Sequence, residues 1–148
     1  MSDFTRILAT TDLSEQARPG VDQAAALARR LGSELVLLMT VEDHLPPMAG
    51  AASAEDRYKI LESYRDLAAQ RLADFAAQNL QGCHVSTIAA IGPASQEIVR
   101  YAQEKSVDLI VMASHGYGPI RQLLLGSTAE RVLHHAPCPV LIVPSKGG

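Results

Sequence analysis

Cysteine is scarce in this chain of 148 residues, limited to Cys83 and Cys138, which stand in unrelated settings with no CxxC spacing. That pattern gives neither a disulfide framework nor a thiolate metal site, and it points to two free thiols in a reducing compartment. Nothing electropositive flanks either one to activate it. Long apolar runs are also missing, although hydrophobic residues make up 47% of the sequence. No stretch approaches the length of a membrane span, and the polar start Met1-Ser2-Asp3 is unlike a signal peptide, so the expected location is cytoplasmic. Basic clusters are absent too. The net charge of -3 argues against a nucleic-acid footprint, which needs a basic face. Neither GxxxxGK[ST] nor GxGxxG occurs, which excludes a Walker loop and a dinucleotide-binding fingerprint. With no internal repeat, residues 1–148 are expected to form one domain, large enough to bury a core without disulfides or metals.

What the sequence does contain is an alternation of short apolar runs and amphipathic stretches. Ile7 to Thr11 reads as a first strand stopping at Asp12-Leu13-Ser14. From Ser14 a helix is expected, with Val21, Ala24, Ala25, Ala28 and Leu31 inward and Gly32 at its end. Glu34 to Val41 is a nearly continuous apolar run, as in a strand covered on both faces. Leu45 to Ser53 has loop composition. Glu55 to Leu80 carries the longest helical pattern, with Tyr64 and Phe75 read as core packing. His84 to Ala90 follows as a third strand, and Gly92-Pro93 opens another helix. A fourth strand runs from Val107 to Met112, and Val140 to Val143 forms a fifth. This βα order predicts an α/β domain with an open parallel five-stranded sheet and helices on both faces. Ligands of such sheets sit beyond the carboxyl ends of the strands, where the winding reverses.

The candidate site lies after the fourth strand. A loop containing Ser114, His115 and Gly116 follows it, and Gly126-Ser127-Thr128 stands at the start of a short helical pattern. Ser127 and Thr128 can serve as plain caps. They can equally border an anion site, because the first amides of a helix lack partners and the dipole favours negative charge. Asp12 likewise reads either as a charge favourable at a helix N-terminus or as a ligand to a divalent cation, and the two roles can coexist.

From Met112 to Pro144 the residues resemble the nucleotide-binding branch of the universal stress proteins, whose pattern is Gly, two residues, Gly, nine residues, then Gly-Ser or Gly-Thr. Here it reads Ala113-Ser114-His115-Gly116, then Tyr117 to Leu125, then Gly126-Ser127, with Ala113 in place of the first glycine. The added methyl is expected to weaken or displace binding without abolishing it. The similarity extends from Arg6-Ile7-Leu8 to Val143-Pro144 and includes the strand-end segment Ala9 to Ser14. It implies an adenine nucleotide alpha hydrolase-like fold with strand order 3-2-1-4-5. It also implies an ATP site with Mg2+ carried by the nucleotide. By position, Thr10, Thr11 and Asp12 would lie beside the nucleoside and its metal-bound phosphates, and Val41 on the adenine side. Met112, Ala113 and Gly116 would line the ribose and phosphate side, while Gly126, Ser127 and Thr128 would cradle the phosphates. A homodimer through Val140, Leu141, Ile142 and Val143 is implied as well, and an apolar edge strand is by itself a template for pairing.

Catalysis finds little support. Phosphoryl transfer calls for a positioned base and usually a cationic clamp. His115 and Arg121 are the only candidates and both read as loop surface. The expected function is an ATP-binding stress-response module with little or no turnover. The alternatives are a slow ATPase or nucleotide-transferring enzyme, and a partner-binding protein that has lost nucleotide affinity through Ala113.

Overall fold

The apolar runs become five strands in a computed structural model that describes residues 3–46, 53–115 and 125–145: β1 (Arg6–Thr10), β2 (Glu34–Val41), β3 (His84–Ile91), β4 (Leu109–Ala113) and β5 (Val140–Val143). Every pairing is parallel and the order is β3-β2-β1-β4-β5, as the resemblance implies. The first strand is therefore central, with Leu8 between Val36 and Ile110. Four helices connect the strands: α1 (Arg18–Leu31), α2 (Ala54–Asn79), α3 (Ala94–Glu104) and α4 (Ser127–His135).

Side-chain alternation divides the core in two. Ile7, Ala9, Leu35, Leu37 and Val111 point to one face and pack with Val21, Ala24, Ala25 and Ala28 of α1 and Leu72 and Ala76 of α2. Leu8, Val36, Leu38, Ile110 and Met112 point to the other and pack with Ile98 and Ala102 of α3 and Ala129 and Val132 of α4. Small residues let α1 lie close to the sheet. A Cβ added at Gly20 would come within 2.8 Å of the Ala113 nitrogen, so the helix rests directly on the end of β4. Gly32 ends α1 at φ 67°, the left-handed geometry that glycine adopts without steric cost.

Three expectations need correction, the first being Leu31, which is 52% exposed where the helical pattern places it inward. Tyr64 is not core packing: it is 50% exposed, because the buried stripe of α2 is Leu61, Ala68, Leu72 and Ala76, and Tyr64 falls at its edge. Phe75 does pack against the core, half-buried. In addition, α1 begins at Arg18, not Ser14. The intervening residues form a turn in which the Ser14 hydroxyl accepts from the Ala17 amide at 3.2 Å. Both cysteines are free thiols. Burial, and next the charge of Asp108, push the Cys138 thiol up, which keeps it protonated.

At the amino ends of the strands, one Asp108 carboxylate oxygen accepts from the Thr5 amide at 3.0 Å, the Thr5 hydroxyl at 2.7 Å and the Arg6 amide at 2.9 Å. The Thr5 hydroxyl first, and then the Arg6 amide, hold its pKa below the ordinary carboxylate range. A pKa lowered by folding contributes stability above the unfolded value of about 4, and that stability is lost as pH falls through the folded value. Asp108→Asn is therefore expected to lower the unfolding free energy by about 1 kcal/mol at neutral pH, the charge assistance of these bonds. Urea unfolding at pH 7 and pH 3 checks this: the gap from wild type should narrow at pH 3, and an equal gap at both would refute it.

Candidate functional site

The carboxyl ends of β1, β2 and β4 and the start of α4 enclose a cavity of about 450 Å³, within the range of small-molecule sites. Its lining includes Thr10, Thr11, Asp12, Met112, Ala113, Gly126, Ser127 and Thr128, so eight of the ten sequence-expected residues converge there. Val41 does not. It shares strand parity with Leu37 and Met39 and so belongs to the α1 and α2 face, whereas the cavity takes Leu38, Thr40 and Glu42 from the other parity. The tenth residue, Gly116, lies outside the described residues, as does Arg121.

Local chemistry explains each wall. After β1 the chain turns sharply. Leu13 sits at φ 66°, a left-handed conformation that costs a branched residue about 1–3 kcal/mol. Two short-range bonds hold it: the Leu13 amide donates to the Thr11 hydroxyl at 2.9 Å and the Ser14 amide to the Asp12 carboxylate at 2.9 Å. Thr11 is further anchored by its own amide to the Leu38 carbonyl at 3.0 Å. The exposed Asp12 is thus delivered to the cavity by a turn fixed on both sides.

At the opposite wall Gly126 precedes α4 in extended geometry with no side-chain cap, and Ser127, Thr128 and Ala129 line the cavity. The first amides of a helix have no intrahelical partners, so this start offers N–H donors and a positive dipole end. By contrast α2 is closed by a full capping box of Ser53 and Asp56. Gly126 is required by space. An added Cβ would meet the Ser114 carbonyl at 2.9 Å, and the Gly126 amide donates to that same oxygen at 2.9 Å.

His115 is not loop surface. It is 7% exposed and lines the cavity, with Nδ1 3.2 Å from the Ser114 hydroxyl and Nε2 buried without a hydrogen-bond partner among the described residues. Three lining residues that sequence reading missed form the far end. Thr40 and Glu42 follow Leu38 at strand spacing, and His44 lies beyond. Glu42 accepts from the Ala94 amide at 2.8 Å, which caps α3, and its other oxygen is 3.2 Å from His44 Nε2. Continued alternation past Leu38 was the available signal.

The cavity is therefore polar in a graded way: amides and hydroxyls at the α4 end, a single carboxylate at the β1 turn, and an apolar floor of Leu38, Met112 and Ile98. Among the described residues no three His, Cys, Asp or Glu side chains group to hold a metal. A divalent cation would have to be shared between Asp12 and an anionic ligand, which suits a hydrated ion carried on phosphates.

The model of the universal stress protein family matches residues 3–144. Universal stress protein A homolog 2 of Coxiella burnetii is 36% identical over 149 residues, 99% of each chain. The solved structure of UspA from Lactobacillus plantarum superposes with a TM-score of 0.75 at 27% identity, covering 97% of this chain and 99% of that one. Two more distant structures share the fold. A universal stress protein in complex with cAMP has a TM-score of 0.67 at 23% identity, covering 98% of this chain and all of that one. One from Archaeoglobus fulgidus in complex with dAMP has a TM-score of 0.58 at 21% identity, covering 96% and 99%.

Proposed function

Because the chain belongs to the universal stress protein family, we propose that it is a cytoplasmic ATP-binding module of the stress response, acting as a homodimer with little or no turnover. The observation that carries this reading is the uncapped start of α4, Gly126 to Thr128, facing Asp12 across one cavity. Backbone amides there suit phosphate oxygens, and Asp12 suits the magnesium that accompanies them. The apolar floor and the end bounded by Thr40, Glu42 and His44 suit the uncharged nucleoside. The cAMP and dAMP complexes of distant relatives support an adenine nucleotide as ligand class.

Binding is favoured over phosphoryl transfer because the α4 end supplies amides and hydroxyls that hold an anion, while the described lining holds no lysine or arginine to clamp a transferred phosphoryl group. Ala113 lines this cavity, and the proposal is that it modulates affinity and leaves room for the ligand. The homodimer rests on β5, which pairs only with β4 and leaves Leu141 37% exposed.

The test is mass spectrometry of nucleotide released from purified protein, followed by titration with Mg-ATP. Co-purified ATP and saturable binding are expected, with phosphate release no faster than a no-protein control. Absence of both retained nucleotide and binding would refute the reading.

A further inference from the structure

Beyond β5 the chain does not simply leave the sheet. Ser145 turns back onto the loop that follows β4 and bonds to it from both sides. Its hydroxyl accepts from the His115 amide at 3.1 Å and donates to the His115 carbonyl at 3.0 Å. Its own amide donates to the Ser114 hydroxyl at 3.0 Å, and the two hydroxyl oxygens are 3.4 Å apart. The Ser114 amide in turn donates to the Val143 carbonyl at 2.9 Å. One hydroxyl thus fixes both backbone groups of His115, which requires a side chain that donates and accepts at a single point.

The other side of the same dipeptide meets α4. Gly126 donates to the Ser114 carbonyl, and its α-carbon faces the His115 backbone and ring so closely that a Cβ would lie 3.6 Å from the His115 α-carbon and 3.7 Å from Cδ2. The His115 ring is buried, so it transmits position and does not swing aside. Ser114–His115 is accordingly a spacer with Ser145 on one side and the first residue before α4 on the other. Where the spacer sits decides where the amides of Ser127 and Thr128 point.

We propose that Ser145 is a positioning residue for the phosphate end of the cavity, acting through the Ser114–His115 backbone on the start of α4. The inference rests on the nucleotide reading above and adds a residue some thirty positions from the loop it controls. Its signature is selective. Loss of the hydroxyl disturbs only the anion-binding end, while the nucleoside end at Leu38, Thr40 and Ile98 touches none of these bonds.

The experiment titrates wild type, Ser145→Ala, Ser145→Thr and Ser145→Cys with Mg-ATP and separately with adenosine. It also follows exchange of the His115 amide by NMR. Ser145→Ala is expected to weaken ATP about tenfold and adenosine by less than about twofold, in keeping with the loss of one to two hydrogen bonds. Threonine, which keeps the hydroxyl, should restore ATP affinity, and cysteine, a weaker donor, should fall between. The His115 amide should exchange faster in the alanine variant with no ligand present. Unchanged ATP affinity in Ser145→Ala, or equal losses for ATP and adenosine, would overturn the positioning role while leaving the nucleotide reading intact. A wild type that binds no ATP would overturn the nucleotide reading and the positioning role together.

Discussion

Gly126→Val is expected to weaken the proposed ATP binding by at least about a hundredfold, the equivalent of two charge-assisted hydrogen bonds at roughly 1.5 kcal/mol or more each. The reason is geometric. A Cβ at this position stands 2.9 Å from the Ser114 carbonyl, a backbone atom at the end of a paired strand that cannot step aside as a flexible side chain would. Relief comes only by moving the start of α4 away, which breaks the Gly126 to Ser114 bond and withdraws the amides of Ser127 and Thr128 from the cavity. Overpacking of this kind costs about 1–3 kcal/mol of stability, so the variant still folds if the wild type has ordinary stability. Calorimetric titration with Mg-ATP, alongside a thermal melt to show folding, reads the effect. A folded variant with affinity within about threefold of wild type would mean that phosphate is held elsewhere.

Leu141→Lys is expected to convert the proposed homodimer to monomers. On β5, residues Val140, Ile142 and Val143 are half-buried, and Leu141 is exposed on the face that carries Val111 and α1. A second copy added to this edge would pair its backbone and cover Leu141 by symmetry, so each dimer holds the residue twice. Two ammonium groups brought together at such a contact cost several kcal/mol, and each 1.4 kcal/mol raises the dissociation constant about tenfold. Sedimentation velocity at micromolar concentration should show a dimer for wild type and a species of half the mass for the variant. A dimer that survives the substitution would place the interface away from β5.

The strands were legible because burial on both faces leaves nearly unbroken apolar runs, as at Leu35 to Met39 and Leu109 to Met112. Their order was not legible from local pattern. It depends on contacts such as Thr5 with Asp108, about a hundred residues apart, and came only from family resemblance. The site divides in the same way. Thr10 to Asp12 and Gly126 to Thr128 announce themselves because strand ends and helix starts have their own residue grammar. Val41 is not among the lining residues because one step along a strand reverses the face, and its neighbours Thr40 and Glu42 stand beside the cavity. His115 and Ser145 stayed hidden for another reason. His115 stands past the end of the apolar run, between Ser114 and Gly116 in a stretch of loop composition, and what covers it is the start of α4 and a serine beyond β5.

The central position of β1 has a consequence for how the chain is made. The first strand to be synthesised has one neighbour within reach as soon as Val41 has emerged, but its other neighbour is complete only at Ala113. At about 5–20 residues per second, the 72 residues between those two points take roughly 4 to 14 seconds on the ribosome. Throughout that interval the nascent sheet, β1 with β2 and then with β3 once Ile91 is added, carries an open apolar edge at Ile7 to Ala9, in the part of the sheet that is most enclosed once folding ends. Pairing over such separation is intrinsically slow. The translating chain, more than the finished protein, is therefore the form that needs shielding from aggregation.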